Sequence, residues 1–356
     1  LSLTDFSEIR NTTTSDSAPG KITGMVRIIA DTVSLTNGSE IDSNTSGAGD
    51  AGSITLNVGQ LVADGDSKIT STSARGATGN AGTVTIQGPS GPGTMARLIT
   101  LSNAVVETQA NGAEGGNIVV AASTVELTEG ARITAESSGE GNAGNITITA
   151  ADTFLSEDSS VTTEARQAQG GEIRITAQSM VRLRNTQVTT EVEAGAERAG
   201  NIIIDPDFVI VENSQIVTQA EGGPGGDIRI TAAAAVLINP DSVVDASSAQ
   251  NIDGEIDIRA PVTNLSSSIS QLPQRFLSAQ LRSQCAERWR GGEVSHLVES
   301  GRDGLPAQPG SLLPSSLIKT VQRQAEGVAS HGTQMALSAD FSRTRSALAC
   351  AKWETR

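Results

Sequence analysis

The sequence predicts an all-β chain whose first 260 residues form a right-handed parallel β-helix of about nine 28-residue coils. Three observations support this prediction. A glycine followed by alternating aliphatic residues recurs about every 28 residues, and the aliphatic residues keep nearly constant offsets from that glycine. Polar, glycine-rich segments separate the copies. A repeat of this length is typical of a solenoid, in which each unit packs mainly on its neighbours.

The repeat anchors are the glycines that begin the successive copies. Their spacings are 28, 30, 34, 28, 27, 29, 26 and 28 residues. The anchors are Gly24, Gly52, Gly82, Gly116, Gly144, Gly171, Gly200, Gly226 and Gly254. One coil per anchor, at an inter-strand spacing of about 4.8 Å, predicts a rod roughly 40 Å long.

The first strand of each coil is predicted from the residues two and four positions after the anchor. These pairs are Val26/Ile28, Ile54/Leu56, Val84/Ile86, Ile118/Val120, Ile146/Ile148, Ile173/Ile175, Ile202/Ile204, Ile228/Ile230 and Ile256/Ile258. Alternation of this kind places one face of a strand in the interior. Because a single short strand cannot bury that face alone, we expect parallel stacking of coil on coil, right-handed by the usual preference of crossover connections.

Two further apolar positions predict a second and a third strand in each coil. The second strand is marked by Val33/Leu35, Val125/Leu127, Val181/Leu183, Val209/Val211 and Val236/Ile238. The third is marked by single residues 16 or 17 positions after the anchor, namely Ile41, Ile69, Ile133, Val161, Val188, Ile216 and Val243. Each coil is therefore predicted to hold three short strands, with Thr, Ser, Asn and charged residues facing outward.

The connections between the strands are predicted from glycine and proline. In the longest coil, the segment Gly88–Gly93 is expected to be a surface loop between the first and second strands. Glycine clusters are expected at tight corners that need a positive φ angle. These clusters are Gly47-Ala48-Gly49, Gly139-Glu140-Gly141, Gly170-Gly171 and Gly222-Gly223-Pro224-Gly225-Gly226.

The charge of the chain is divided unevenly. Residues 1–260 hold 33 acidic and 14 basic side chains, a net charge of −19, whereas residues 261–356 hold 7 and 11, a net charge of +4. An acidic repeat region does not favour nucleic acid as a partner. No run of about 18 apolar residues occurs, so a membrane-spanning helix is not predicted.

Carboxylates and arginines on neighbouring coils are the nearest candidates for catalysis. The candidates are Asp205, Asp207 and Glu212 with Arg182, Arg184 or Arg229. Glycoside hydrolysis needs two carboxyl groups about 5 to 9.5 Å apart, which facing coils are able to supply. The chain has no tyrosine and five phenylalanines, so aromatic platforms for sugar rings are scarce. We therefore expect a non-enzymatic protein, and a polysaccharide-active lyase or hydrolase is the alternative.

No metal or cofactor is predicted. The segment Gly222–Asp227 matches one calcium-binding nonapeptide of the G-G-x-G-x-D type, but the nine-residue recurrence of such sites is missing. The histidines His296 and His331 have no metal-ligand spacing.

The 28-residue period stops after Pro261, and two further segments are predicted there. Residues 261–310 form a loop-rich, partly helical segment, with a short helix expected over Ser278–Arg290, and residues 311–356 are expected to be a disordered or helical tail. The chain begins Leu1-Ser2-Leu3, without an initiator methionine or a signal peptide. We expect it to be the C-terminal part of a longer protein, the alternative being a misassigned reading frame.

The first of these segments also carries a family resemblance. Cys285 is followed by Gly301-Arg302-Asp303-Gly304-Leu305-Pro306, and coils such as Gly144–Ile148 and Gly200–Ile204 have a G-N-I-T-I-like pattern. In these features the chain resembles the C-terminal region of filamentous-haemagglutinin-like exoproteins, the secreted partners of two-partner secretion systems of cyanobacteria and other Gram-negative bacteria. Asp303 stands where that family's turn has a glycine.

The resemblance implies an adhesin-like rod, secreted or exposed at the outer-membrane surface. It also implies an outer-membrane transporter as export partner and a surface glycan or protein as receptor, with biofilm matrix as a further role. An exported chain passes an oxidising compartment, so we expect a disulfide between Cys285 and Cys350 that stabilises the tail as a cap or a surface anchor.

Overall fold

The computed structural model describes residues 1–14, 24–194 and 197–265, and these residues form a parallel β-solenoid of about nine turns. No helix occurs among them. The predicted all-β, parallel repeat fold is therefore confirmed. The last strand, Val262–Leu265, lies beyond residue 260, where the repeat was predicted to end. The expected helix Ser278–Arg290 and the 311–356 tail lie outside the described residues.

The strands follow one another along the chain with only turns and loops between them. In chain order they are β1 (Ser2–Leu3), β2 (Glu8–Thr13), β3 (Met25–Leu35), β4 (Glu40–Thr45), β5 (Ser53–Asp64), β6 (Lys68–Ser73), β7 (Val84–Gln87), β8 (Ala96–Ser102), β9 (Val105–Ala110), β10 (Ile118–Thr128), β11 (Arg132–Ser137), β12 (Ile146–Glu157), β13 (Ser160–Ala165), β14 (Ile173–Ala177), β15 (Met180–Arg184), β16 (Gln187–Val192), β17 (Ile202–Asp205), β18 (Phe208–Glu212), β19 (Gln215–Ala220), β20 (Ile228–Thr231), β21 (Ala235–Ile238), β22 (Val243–Asp245), β23 (Ile256–Arg259) and β24 (Val262–Leu265).

These strands form two sheets that wrap one interior. The fifteen-stranded sheet runs β1-β3-β5-β7-β10-β12-β14-β17-β20-β23, with β8, β15, β18, β21 and β24 continuing the same turns alongside. The nine-stranded sheet runs β2-β4-β6-β9-β11-β13-β16-β19-β22. All the paired strands are parallel, so each turn contributes to both sheets and stacks on the turn before it.

The residues after the anchors form the core, as their alternation predicts. Ile118 pairs with Ile146 and Ile146 with Ile173, and all three side chains are fully buried. The largest fully buried side chain is Phe154, which pairs in register with Val125 and Val181. At the last turn this burial ends, because Ile256 has a neighbouring strand on one side only and is 43% exposed.

The first two predicted strands of a turn are not always separate. In four turns they join into a single strand of 11 or 12 residues, namely β3, β5, β10 and β12. In β10 the register against β12 shifts between Ala122 and Thr124, so the bend that separates the strands elsewhere is accommodated as a bulge. The predicted loop Gly88–Gly93 does lie between β7 and β8, outside the stack.

One predicted inward residue of the nine-stranded sheet is wrong. Val243 was expected to continue the buried column, but it is 46% exposed, and Val244 instead pairs with the buried Ile216. Four residues separate β21 from β22, against two before each of β13, β16 and β19, and the inward position moves by one residue. A shift of one residue exchanges the two faces of a strand.

The repeat anchors are glycines for a steric reason and not for their φ angles. A Cβ atom on Gly144 would lie 1.8 Å from the carbonyl oxygen of Gly116, and one on Gly171 would lie 1.9 Å from that of Gly144. The same close approach joins each anchor from Gly52 to Gly254 to the anchor before it, with distances between 1.8 and 2.4 Å. None of the glycine clusters predicted at corners has a positive φ, so that expectation is wrong.

Positive φ angles occur instead at the corner that leads into the nine-stranded sheet. Asn and Asp predominate there because their short polar side chains tolerate this region better than most. The corner residues are Asp5, Asn37, Asp66, Asn103, Glu129, Asp158, Asn185 and Asn213, with φ between 48° and 65°. Their side chains bond from turn to turn, as where Asn185 Nδ2 donates to Asp158 Oδ1 at 2.8 Å.

Candidate functional site

The outward face of the nine-stranded sheet carries two polar grooves. The central groove, about 710 Å³, lies over β11, β13 and β16, and its lining includes Arg132, Thr162, Glu164, Thr189 and Glu191. A second groove of about 490 Å³ lies over the first turns, between β2 and β9. Both are lined mainly by side chains that alternate with the buried residues of the same strands.

A column of threonines runs along the central groove. Thr134, Thr162 and Thr189 occupy the same register position on three successive strands. Thr162 Oγ1 donates to Thr134 Oγ1 at 3.2 Å, so the hydroxyl groups are aligned along the stack. Since strands are about 4.8 Å apart, the column offers donors and acceptors at that period.

A column of glutamates runs beside the threonines, two residues further along each strand. Glu136, Glu164 and Glu191 are register partners on β11, β13 and β16. Gln109, on β9, continues the column, and its Nε2 donates to Glu136 Oε2 at 3.1 Å. Glu193, just after β16, lies within hydrogen-bonding reach of Glu164.

The environment of Glu164 favours its protonated form. Burial, the hydrogen bond with Glu193 and the neighbouring negative charges together raise the pKa of Glu164 to about 7. Burial also raises the pKa of Glu107, on β9, and the charge of Glu136 adds to this effect, while Arg132 and Lys68 oppose it. The central groove therefore holds one carboxyl group, that of Glu164, which binds a proton more readily than an ordinary glutamate.

In the second groove, by contrast, the central carboxylate is fully satisfied. Asp42 is buried, and its Oδ2 accepts from Arg10 Nε at 3.1 Å and from Asn44 Nδ2 at 2.8 Å. Thr70 Oγ1 donates to Asp42 Oδ1 at 3.3 Å. Because these donors hold the carboxylate in place, we assign it a structural role and take the central groove as the candidate site.

On the inner face of the nine-stranded sheet, a second set of threonines points inward. Each donates its hydroxyl to the carbonyl oxygen of an anchor glycine: Thr108 to Gly116, Thr163 to Gly171, Thr190 to Gly200 and Thr218 to Gly226, at 2.5 to 2.8 Å. All four are essentially fully buried. Within the described ranges, every buried side-chain nitrogen and oxygen has a hydrogen-bond partner. The buried polar side chains on this inner face therefore have their hydrogen bonds satisfied within the protein.

The predicted catalytic group is not brought together as one site. Arg182 donates two hydrogen bonds to Glu212 Oε2, at 2.8 and 3.1 Å. Arg184 pairs with Glu157 at 2.6 Å and Arg229 with Asp257 at 3.8 Å, whereas Asp205 and Asp207 are exposed. The candidate arginines are therefore engaged by carboxylates other than these two aspartates. Residues 1–260 contain three phenylalanines as candidate sugar platforms: Phe154 is buried, Phe208 is half-exposed on the other sheet, and Phe6 is exposed in the first turn.

The segment Gly222–Asp227, which matches a single calcium-binding nonapeptide, is also engaged by the protein itself. Asp227 Oδ1 accepts from Arg198 Nη2 and from the backbone N–H of Glu255, both at 2.9 Å. Among the residues that the structure describes, no group of three His, Cys, Asp or Glu side chains is placed to hold a metal ion.

The remaining sequence-predicted positions lie outside the described residues. They are the disulfide candidates Cys285 and Cys350 and the family motif Gly301, Arg302, Asp303, Gly304, Leu305 and Pro306. Conversely, the glutamate column was not among the sites predicted from the sequence. Its signal was the glutamate three residues after the inward Ile133, Val161 and Val188, which places three carboxyl groups at one register position.

The fold and the groove define a parallel β-solenoid that presents an acidic, hydroxyl-rich surface. The chain matches no protein-family model, no curated protein and no solved structure. In the part of the chain that the structure covers, no helix has the length and apolar character needed to cross a bilayer.

Proposed function

We propose that the chain is a non-enzymatic, adhesin-like rod that attaches to a neutral or amine-bearing surface glycan through the central groove. The observation that carries this proposal is the register of two polar columns, the threonines on Thr134, Thr162 and Thr189 and the glutamates beside them. A repeating ligand meets similar side chains at each of the three turns that carry these columns. Several weak contacts then add to a useful affinity without one deep pocket.

The chemistry of the groove supports this class of ligand. Threonine hydroxyls both donate and accept, and carboxylates accept hydrogen bonds from sugar hydroxyl or ammonium groups. The carboxylates Asp158, Glu164 and Glu191 outnumber the single arginine, Arg132, in the lining. An anionic polysaccharide is therefore disfavoured by charge repulsion, whereas a neutral or amine-bearing one is not.

We also propose that the chain belongs to an exported exoprotein of the filamentous-haemagglutinin-like type. It would reach the outer-membrane surface through a two-partner secretion transporter and act in attachment or in biofilm matrix. This part rests on the sequence motif Gly301 to Pro306 with Cys285 upstream, and on the G-N-I-T-I-like coils. The parallel β-solenoid is compatible with it.

Glycan binding tests the proposed function. The full chain is applied to an array that holds neutral, amine-bearing and uronic-acid polysaccharides, together with a Thr162→Val/Thr189→Val double variant. We expect the protein to bind neutral or amine-bearing glycans and the variant to bind about tenfold less, since two hydroxyl groups at about 0.5–1.5 kcal/mol each are lost.

The matched control is a Thr147→Val/Thr149→Val double variant, which removes two half-exposed threonines from the outward face of β12 in the other sheet. It is expected to bind as the unaltered chain does. Equal losses in both double variants, or binding to uronic-acid chains alone, would contradict the proposed ligand class. Release of reducing or unsaturated ends from any of the glycans would contradict a non-enzymatic rod.

A further inference from the structure

The carboxyl groups over β11, β13 and β16 lie closer together than their charges favour. Glu136, Glu164 and Glu191 are direct register partners, on strands about 4.8 Å apart. Like charges placed directly opposite each other on neighbouring strands are destabilising. The folded chain brings these groups together, so the protonation of Glu164 is coupled to the stacking of the turns.

The charged groups around Glu164 come from each neighbouring strand and from both ends of its own strand. They are Arg132 and Glu136 on β11, Asp158 and Arg166 on either side of β13, and Glu191 and Glu193 on and after β16, with Glu107 one strand further away on β9. Acidic groups predominate. Within the described turns neither Arg132 nor Arg166 forms an ion pair, so no guanidinium group directly neutralises the column.

The contact between Glu164 and Glu193 requires a proton. Two ionised carboxylates have only acceptor oxygens, so a hydrogen bond between them forms only when one of the two is protonated. Glu193 directly follows β16, and its backbone N–H donates to the carbonyl oxygen of Ala165 at the end of β13. The side-chain contact therefore bridges the same two strands as the backbone bond.

We propose that Glu164 of this column and Glu193 form a proton-dependent clasp, in which one proton held between the two carboxyl groups stabilises the stacking of β16 on β13. When solvent takes the proton, the hydrogen bond is lost and the stacked carboxylates repel one another. The clasp is a property of the solenoid itself and does not depend on the proposed glycan ligand.

Proton linkage determines whether the clasp stabilises the folded chain at low or at high pH. The pKa of Glu164 is raised in the folded chain to about 7 from an ordinary 4.5, so between these values the folded state binds more protons than the unfolded state. The stabilisation is therefore complete below about pH 4.5 and is lost as the pH rises through about 7.

Thermal unfolding of the full chain between pH 5 and pH 8, followed by circular dichroism, tests the clasp. Glu164→Gln stays neutral at every pH and keeps a donor. We expect its unfolding midpoint to fall less than that of the unaltered chain as the pH rises, and to lie about 2 °C or more higher at pH 8. Glu193→Gln, at the other end of the contact, is expected to reduce the pH dependence in the same direction.

Glu140→Gln is the matched control, because Glu140 is an exposed glutamate in a turn of the same solenoid. It removes one negative charge without touching the column, and it should keep the pH dependence of the unaltered chain. The clasp is refuted if the Glu164 and Glu140 variants show the same midpoints at every pH, or if Glu164→Gln lowers the midpoint at pH 8.

Discussion

Single glycines set how closely successive turns approach each other. Along the anchor column, the Cα of each glycine faces the carbonyl oxygen of the glycine one turn earlier, and a methyl group has no room between them. At Gly130 the requirement is different. There φ is +86° and nothing lies within 4 Å of the Cβ position, so only the backbone angle limits the residue.

These two requirements predict a large loss of stability for one substitution and a small loss for another. Gly171→Ala is expected to destabilise the chain by about 1–3 kcal/mol or more, because the new Cβ forces the Gly144 backbone to move. Gly130→Asn is expected to cost less than about 1 kcal/mol, since asparagine tolerates a positive φ and has open space there. Urea unfolding measures both changes, and a larger loss for Gly130→Asn would contradict the steric role of the anchors.

The threonines show that residue type alone does not reveal which side chains face outward. Thr162 faces the groove and the next residue, Thr163, donates to the Gly171 carbonyl inside the solenoid. From the sequence, threonines were expected on the outward face in general. Position in the alternation separates the two, because Thr163 follows the inward Val161 by two residues and therefore shares its face.

At the scale of the strand, alternation determines which side chains are buried. In β12, Ile146 is fully buried, while the adjacent Thr147 faces outward between Val119 and Arg174 of the neighbouring strands. Burial on one face and exposure on the other repeat along each long strand.

Two aspartate substitutions in β12 test this facing. Ile146→Asp is expected to cost several kcal/mol, because it places a carboxylate without a partner in an apolar interior. Thr147→Asp is expected to change the free energy of unfolding by no more than about 0.5 kcal/mol, as is usual for a surface position. Equal losses in the two variants, measured by urea unfolding, would show that the assigned facing is wrong.

The strands themselves could be predicted because the period and the alternation both depend on local sequence. How neighbouring strands of one turn connect could not be predicted in the same way. Whether two strands merge, as in β10, depends on a bulge between Ala122 and Thr124, and the exposure of Val243 depends on the length of one turn. Neither feature changes the pattern of apolar residues around it.

At the scale of the whole solenoid, stacking creates the site. No single turn contains the central groove, which appears only when Arg132, Thr162 and Gln187 from three turns share one face. The outward threonines and carboxylates could be predicted as a polar surface. Their grouping into columns could not, because it depends on the register between strands and not on the spacing along one strand.

Both the core and the central groove depend on the in-register parallel stack, and distances between spin labels measure this stacking. Labels are attached to cysteines introduced at exposed positions of one register column, in a chain with Cys285→Ser and Cys350→Ser. Lys68 and Gln187 lie four strand steps apart, and Glu8 and Gln215 lie seven. At about 4.8 Å per step, parallel in-register stacking predicts Cα separations of about 19 Å and about 34 Å, each with a narrow distribution. Separations that do not grow with the number of strand steps would contradict the stack.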